Sequence, residues 1–266
     1  MTSKLISIVT PSFNQSDYIK YCIESVKKQS YRPIEHIIVD NCSTDDTDKI
    51  LKVYKNNPEG IDVILIKEPD KGQSDALNKG FKKATGELIA WLNADDYFLL
   101  GAFTKVNHFY SKNPMVDVIY GDYYFVDENG KIMKRRKEMG YDPGILFYVG
   151  CYIPSSGTFF HRRIFDEGNF LDINFDITMD YEFFVRLSKA KKKFLHIPEY
   201  LSCFRWHHGN KSLNAIKRRQ ERHRVQQMYG IKIFNSPEWN QKLYDIMLYP
   251  YLAKRMIKKF FTGCYF

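Results

Sequence analysis

Short apolar runs alternate with amphipathic stretches along the first hundred residues. Residues 4–10, Lys-Leu-Ile-Ser-Ile-Val-Thr, form a run of buried-strand length, closed by the turn Pro11-Ser12-Phe13-Asn14. From Asp17 to Gln29, Ile19, Cys22, Ile23 and Val26 recur on one helical face. Residues 34–39 predict a second strand with Asp40 at its C-terminal end, and 47–54 a helix. Residues 61–66 predict a third strand, Asp70-Lys71-Gly72 a turn, and Gln73 to Lys83 a helix. Residues 87–92 predict a fourth strand, which ends at Asn93-Ala94-Asp95-Asp96. Strand followed by helix four times implies an α/β fold: a mostly parallel, Rossmann-like sheet flanked by helices, with right-handed crossovers. Ligands of such sheets bind beyond the C-terminal strand ends. That rule brings Thr10, Asp40, Asp70, Asp95 and Asp96 to one rim.

Beyond Gly101 the rhythm changes. A helix over 101–110 precedes strands near 117–124 and 131–136, joined by the turn Asp127-Glu128-Asn129-Gly130. A strand over 156–161 and a helix over 180–188 follow. The second half is thus mixed, and continuous with the first. The expected division is a body over 1–210, in halves 1–100 and 101–210, with a helical extension over 211–266. That extension predicts helices over 212–228 and 241–261, with Pro250 breaking or kinking the second after Tyr249.

Composition narrows the classes. The chain has 266 residues, 44% hydrophobic and 27% charged, which is globular and neither disordered nor coiled coil. No run approaches the ~20 apolar residues of a membrane span, and no signal-peptide core follows Met1, so a cytoplasmic location is expected. Cys22, Cys42, Cys151, Cys203 and Cys264 are odd in number and scattered, as reduced thiols are. The net charge of +9 resides in the extension: residues 211–266 hold 12 Lys and Arg against 3 Asp and Glu, and the rest is neutral. A body without a basic track does not suit nucleic acid. The extension mixes Leu248, Tyr251, Leu252, Met256, Ile257, Phe260 and Phe261 with Lys254, Arg255, Lys258 and Lys259. It fits either an anionic membrane surface, at the inner face of the plasma membrane, or a helix packed on the body by its apolar side with its cations in water.

Two adjacent carboxylates at the end of an apolar strand, Asp95 and Asp96, need a compensating cation or donors. They suit Mg²⁺ or Mn²⁺ shared with substrate phosphates, or a helix N-cap. Asp40 can accept from a base or ribose, or close the turn that follows it. Asp180, opening a helix, can act as a general base or as an N-cap. His207 and His208 can approach phosphate or metal, or simply occupy a surface loop. Neither GxGxxG after an early strand nor GxxxxGK[ST] anywhere is present, which removes the usual dinucleotide and P-loop cradles.

Four segments in order resemble the family 2 glycosyltransferases of the GT-A fold, in particular bacterial polysaccharide-biosynthesis enzymes: Thr10-Pro11-Ser12-Phe13-Asn14; Val39-Asp40-Asn41-Cys42-Ser43-Thr44-Asp45-Asp46-Thr47; Asp70 to Gly80; and Asn93-Ala94-Asp95-Asp96 in place of the metal-binding DxD. Later segments, Tyr120-Gly121-Asp122, Gly157 to Phe160 and Asp180 to Leu187, resemble the acceptor side of that family. The resemblance implies an inverting, metal-dependent glycosyltransferase using a nucleoside-diphosphate sugar, a UDP-sugar by expectation. Its acceptor would be a saccharide or lipid-linked saccharide. Thr10, Pro11, Asn14, Asp40, Asp70, Lys71, Asp95, His207 and His208 would bind the nucleotide sugar. Asp96, with Asp95, would hold Mn²⁺ or Mg²⁺, and Asp180 would be the catalytic base. Asn93 at the first acidic position and Asn41 beside Asp40 depart from the family pattern. The competing readings are a non-catalytic carbohydrate-binding or assembly protein of the same fold, and a nucleotidyltransferase. The latter would want a Gly- and Arg/Lys-rich loop after the first strand, which Pro11 to Asn14 does not provide.

Overall fold

The computed structural model describes residues 3–263; Met1, Thr2 and Cys264 lie outside them. The strands are β1 (Ile6–Ser12), β2 (Ile34–Asp40), β3 (Asp62–Lys67), β4 (Leu88–Trp91), β5 (Tyr97–Phe98), β6 (Val118–Val126), β7 (Ile132–Arg136), β8 (Thr158–His161) and β9 (Phe194–Arg205). The helices are α1 (Ile19–Lys27), α2 (Thr47–Asn56), α3 (Gln73–Lys83), α4 (Ala102–Lys112), α5 (Pro143–Val149), α6 (Arg163–Asp166), α7 (Met179–Lys189), α8 (Ala215–Tyr229) and α9 (Pro237–Phe261). They build one sheet in the order β3-β2-β1-β4-β8-β6-β9-β5, with β7 paired to β6. The first four strands are parallel, and β8 joins them antiparallel to β4.

β1 and β2 are buried along almost their whole length because both sheet faces are covered. Alternate side chains feed two cores. Val9, Ile37, Val39 and Trp91 join α3, α5 and α7 on one face. Ile6, Ile8, Ile34, Ile38 and Ala90 join α1, α2 and α4 on the other. The chain runs outward from β1 to β3 and returns to β4 on the other side of β1, so a topological switch point lies between the ends of β1 and β4. Ligand crevices open at such points.

The expected helix over 241–261 forms as α9, but two details of the expectation change. Pro250 does not break it. Pro250 and Ile246 are both exposed, so the carbonyl left without an N–H partner meets water instead of a dry interior. And α9 docks by a side that carries its cations together with Tyr244 and Tyr251. Lys254 and Lys258 each lie 2.8 Å from buried Asp142, and Arg255 and Lys259 reach buried Glu138 at 3.7 and 3.4 Å. Tyr251 stacks on Tyr148 of α5. Burial alone would raise the Asp142 carboxyl; Lys254, Lys258 and the Ile145 N–H hold it at about 2. Among the described residues no helix is long and apolar enough to cross a membrane.

Gly80 marks the closest approach of α3 to the sheet, where an added Cβ would overlap Val9 Cγ1 and press on Val39. Gly80→Ala should therefore destabilise the fold by about 1–3 kcal/mol despite the better helix propensity of alanine, read from urea unfolding. Unchanged or raised stability would show that α3 does not ride so close to β1.

Candidate active site

A cleft of about 420 Å³ opens at the switch point. Pro11 and Ser12 end β1, Asn41 follows β2, Asp70 precedes α3, and Asn93 to Asp95 follow β4; all line it. Asp176 and Asp180 enter from the start of α7, and His207 and Lys211 from the loop after β9. Of the residues anticipated from sequence, Pro11, Asp70, Asp95, Asp180 and His207 thus meet in one cavity.

The Asn-Ala-Asp-Asp segment splits its two carboxylates. Asp95 faces the cleft, and its Oδ2 lies 2.9 Å from His207 Nε2. The Gly209 N–H donates to His207 Nδ1, which makes Nε2 the donor toward Asp95. The ring is stacked on Tyr18. Asp96 turns inward, contrary to its expected place as chief metal ligand. Its Oδ1 accepts from the Arg205 N–H at 2.9 Å, and its Oδ2 accepts from Asn93 Nδ2 at 3.1 Å and from the Ser156 hydroxyl. Burial, then the neighbouring charge of Asp95, holds the Asp96 carboxyl well above the usual range. Asp96 is thus a brace between β4, β9 and the turn at 155–157, and Asp95 is the carboxylate a metal would meet. Among the described residues no three His, Cys, Asp or Glu side chains gather around a metal position. The donor set facing the cleft is Asp95 with His207 beside it.

Other anticipated residues stand outside the cavity. Thr10 points beneath the sheet, its hydroxyl 3.0 Å from His36 Nε2. Asp40 closes its own turn, accepting from the Ser43 N–H and hydroxyl at 2.9 and 2.5 Å. Asn14, in left-handed backbone at φ 52°, accepts from the Thr44 N–H and so ties two rim loops together. Lys71 and His208 are exposed and do not line the cleft. Asp40 still acts at the rim through its successor: Asn41 lines the cleft and accepts from the Asp70 N–H at 2.9 Å. The Asp70 carboxyl, raised by burial, accepts from the Gly72 N–H at 2.8 Å.

Asp180 is the second residue of α7. Burial pushes its carboxyl up to about 6, although the Tyr181 N–H and the Cys151 thiol bond it. Asp176 accepts from Lys211 Nζ at 2.7 Å and Lys217 Nζ at 2.6 Å, lacing the loop after β9 across the cleft. Sequence reading missed Arg205 and Glu221, and noted Asn93 only as a departure from the motif. Arg205, fully buried, donates to the carbonyls of Asp95 and Glu128 at 2.9 and 2.6 Å under the rings of Tyr18, Tyr21 and Tyr97. Asn93 accepts from both Trp91 Nε1 and Gln73 Nε2 at 2.7 Å. Glu221, the single acid of α8, accepts from the N–H groups of Asp176, Ile177 and Thr178 at 3.1, 3.0 and 2.8 Å. The available signal for Glu221 was a lone acid inside a run of Arg and Lys.

The family model described as Glycosyl transferase family 2 matches residues 7–174. An uncharacterised glycosyltransferase of Methanocaldococcus jannaschii is 28% identical over 227 residues, covering 83% of this chain and 77% of that protein. The putative teichuronic acid biosynthesis glycosyltransferase TuaG of Bacillus subtilis is 44% identical over 92 residues, about a third of each chain (35% and 36%). Among solved structures, S. aureus TarS 1–349 in complex with UDP-GlcNAc superposes with a TM-score of 0.70 at 19% identity, covering 93% of this chain and 71% of that one. The mannosyltransferase PcManGT of Pyrobaculum calidifontis, solved with GDP-Man and Mn²⁺, gives 0.66 at 15% identity, over 97% and 76%. These likenesses show the GT-A fold.

Glu221→Ala would strip the 176–178 turn of its acceptor and leave buried N–H groups without a partner. The expected cost is about 2–4 kcal/mol in chemical unfolding. A loss below the error of the measurement would show that the turn holds itself.

Proposed function

The chain belongs to glycosyl transferase family 2, and from that membership we propose that it moves a sugar from a nucleoside-diphosphate sugar, a UDP-sugar in the simplest reading, to an acceptor hydroxyl of a polysaccharide or glycolipid, with inversion. One observation carries the reading: the Asp95–His207 pair and Asp180 share a single cleft at the sheet's switch point. The nucleoside would lie along Pro11, Ser12, Asn41 and Asp70, and the diphosphate beside Asp95, His207 and Lys211.

Asp70, Asp95, Asp176 and Asp180 all face the cleft. A diphosphate approaches so many carboxylates only with a cation between, and the Asp95 carboxylate together with diphosphate oxygens suits Mn²⁺ or Mg²⁺. Asp95, with His207 beside it, would hold the ion, which would neutralise charge on the departing diphosphate. The remaining chemistry belongs to Asp180. Among the described residues Asp176 is paired with two lysines and Asp180 with none. Asp180 accepts the proton of the acceptor hydroxyl as its oxygen bonds to the anomeric carbon. The bond from that carbon to the diphosphate oxygen breaks, and its electron pair leaves with the diphosphate. A carboxyl near 6 is ionised at neutral pH yet more basic than an ordinary aspartate, as a general base should be. The expected setting is the cytoplasm.

Transfer from radiolabelled UDP-sugars tests the roles. Asp180→Asn should keep donor affinity while turnover falls by about 100-fold or more; wild-type turnover would remove Asp180 as base. The pH dependence has a definite sign. Below about 6 the Asp180 carboxyl is protonated and cannot take a proton. The acid limb of kcat/KM should therefore break near pH 6, and a profile flat down to pH 5 would contradict the assignment.

A further inference from the structure

The inward turn of the α9 cations leaves an outward side of opposite character. Ile246, Tyr249, Ala253, Ile257 and Phe261 succeed one another at spacings of three and four, so they form one stripe along the helix. Ile246 is 64% exposed, Tyr249 72%, Ile257 57% and Phe261 80%. A globular helix normally buries such a stripe, and one left outward marks an interaction surface. A second such element stands beside it. β7 carries exposed Ile132 and Met133 between Lys131, Lys134 and Arg135. Lys259 Nζ donates to the Lys137 carbonyl at 3.1 Å, which places the end of α9 against the end of β7.

We propose that α9 and β7 together form a docking surface for an anionic lipid bilayer, with the α9 stripe entering the interface and the cations of β7 meeting headgroups. Charge selects this occupant. Residues 246–263 and 131–137 contain no Asp or Glu. A second copy of the chain would bring the β7 cations against their like, whereas paired helices usually carry opposite charges beside the apolar seam. A lipid surface supplies both an apolar layer and negative charge. The four inward cations are not wasted in this scheme: their ion pairs with Glu138 and Asp142 fix which side of α9 faces out.

The inference stands apart from the transfer reading, because binding is measured without turnover. The full chain is floated with vesicles of phosphatidylcholine alone and of phosphatidylcholine with about 30 mol% phosphatidylglycerol, beside light scattering of the free protein. The wild type should float with the anionic vesicles and not the neutral ones, and should be monomeric. Tyr249→Ser with Ile257→Ser should reduce the bound fraction about tenfold or more, as should Lys134→Glu with Arg135→Glu. All four positions are exposed, so circular dichroism should confirm unchanged folding. Failure of the wild type to float with anionic vesicles, or equal flotation of both variants, would overturn the proposal. So would a dimer that the Tyr249/Ile257 variant converts to monomer, which would assign the stripe to a second copy.

Discussion

The geometry of the cleft depends on one buried cation. Arg205 ends β9 with its guanidinium sealed from water, where a charge is costly unless its surroundings compensate it. The carbonyls of Asp95 and Glu128 accept from its Nε and Nη1, and three tyrosine rings present their faces, while Nη2 has no hydrogen-bond partner among the described residues. Its own N–H fixes Asp96 inward. With Asp96 held, its neighbour Asp95 is delivered outward to the cleft. The chain leaves Arg205 and, two residues later, delivers His207 to the same carboxylate. One arginine thus joins β4 to the loop after β9 that lines the cleft.

The other wall has a matching device of opposite sign. Glu221, on an otherwise basic helix, gathers the N–H groups that precede α7 and so sets where Asp180 enters. Asp176 in that turn then binds Lys211 and Lys217. The extension after residue 210 is therefore part of how the cleft is assembled. Through α9, the same extension carries the proposed membrane surface, on the side of the helix that the ion pairs to Glu138 and Asp142 leave free.

Much of this was legible in the sequence because β1, β2 and β4 are buried on both faces. Their apolar runs and intervening amphipathic helices leave little choice of fold, and the rule on strand ends then collects the polar residues. What periodicity could not reach was the direction of a side chain at a strand end. Thr10 and Asp96 sit at the rim in sequence, yet each turns to a neighbour that only the tertiary structure supplies: His36, and the Arg205 N–H with Ser156; Asp40 closes its own turn on Ser43, one of its two expected roles. Long strand β9 was missed because Pro198 and Glu199 interrupt its apolar pattern, and its pairing with β6 carries register shifts there. The choice between the two expected settings of α9 was out of reach for a related reason. Lysines near a helix end read as solvent-facing until Glu138 and Asp142 are seen buried beneath them.

If Asp95, beside His207, holds a metal-bridged diphosphate, UDP binding must need both the ion and that carboxylate. Calorimetric titration of UDP in Mn²⁺ and again in EDTA, with the wild type and Asp95→Ala, reads this out. Binding is expected for the wild type in Mn²⁺ alone, lost in EDTA and lost in the variant. UDP binding of equal strength in EDTA, or an Asp95→Ala protein that binds UDP in Mn²⁺ as the wild type does, would contradict it.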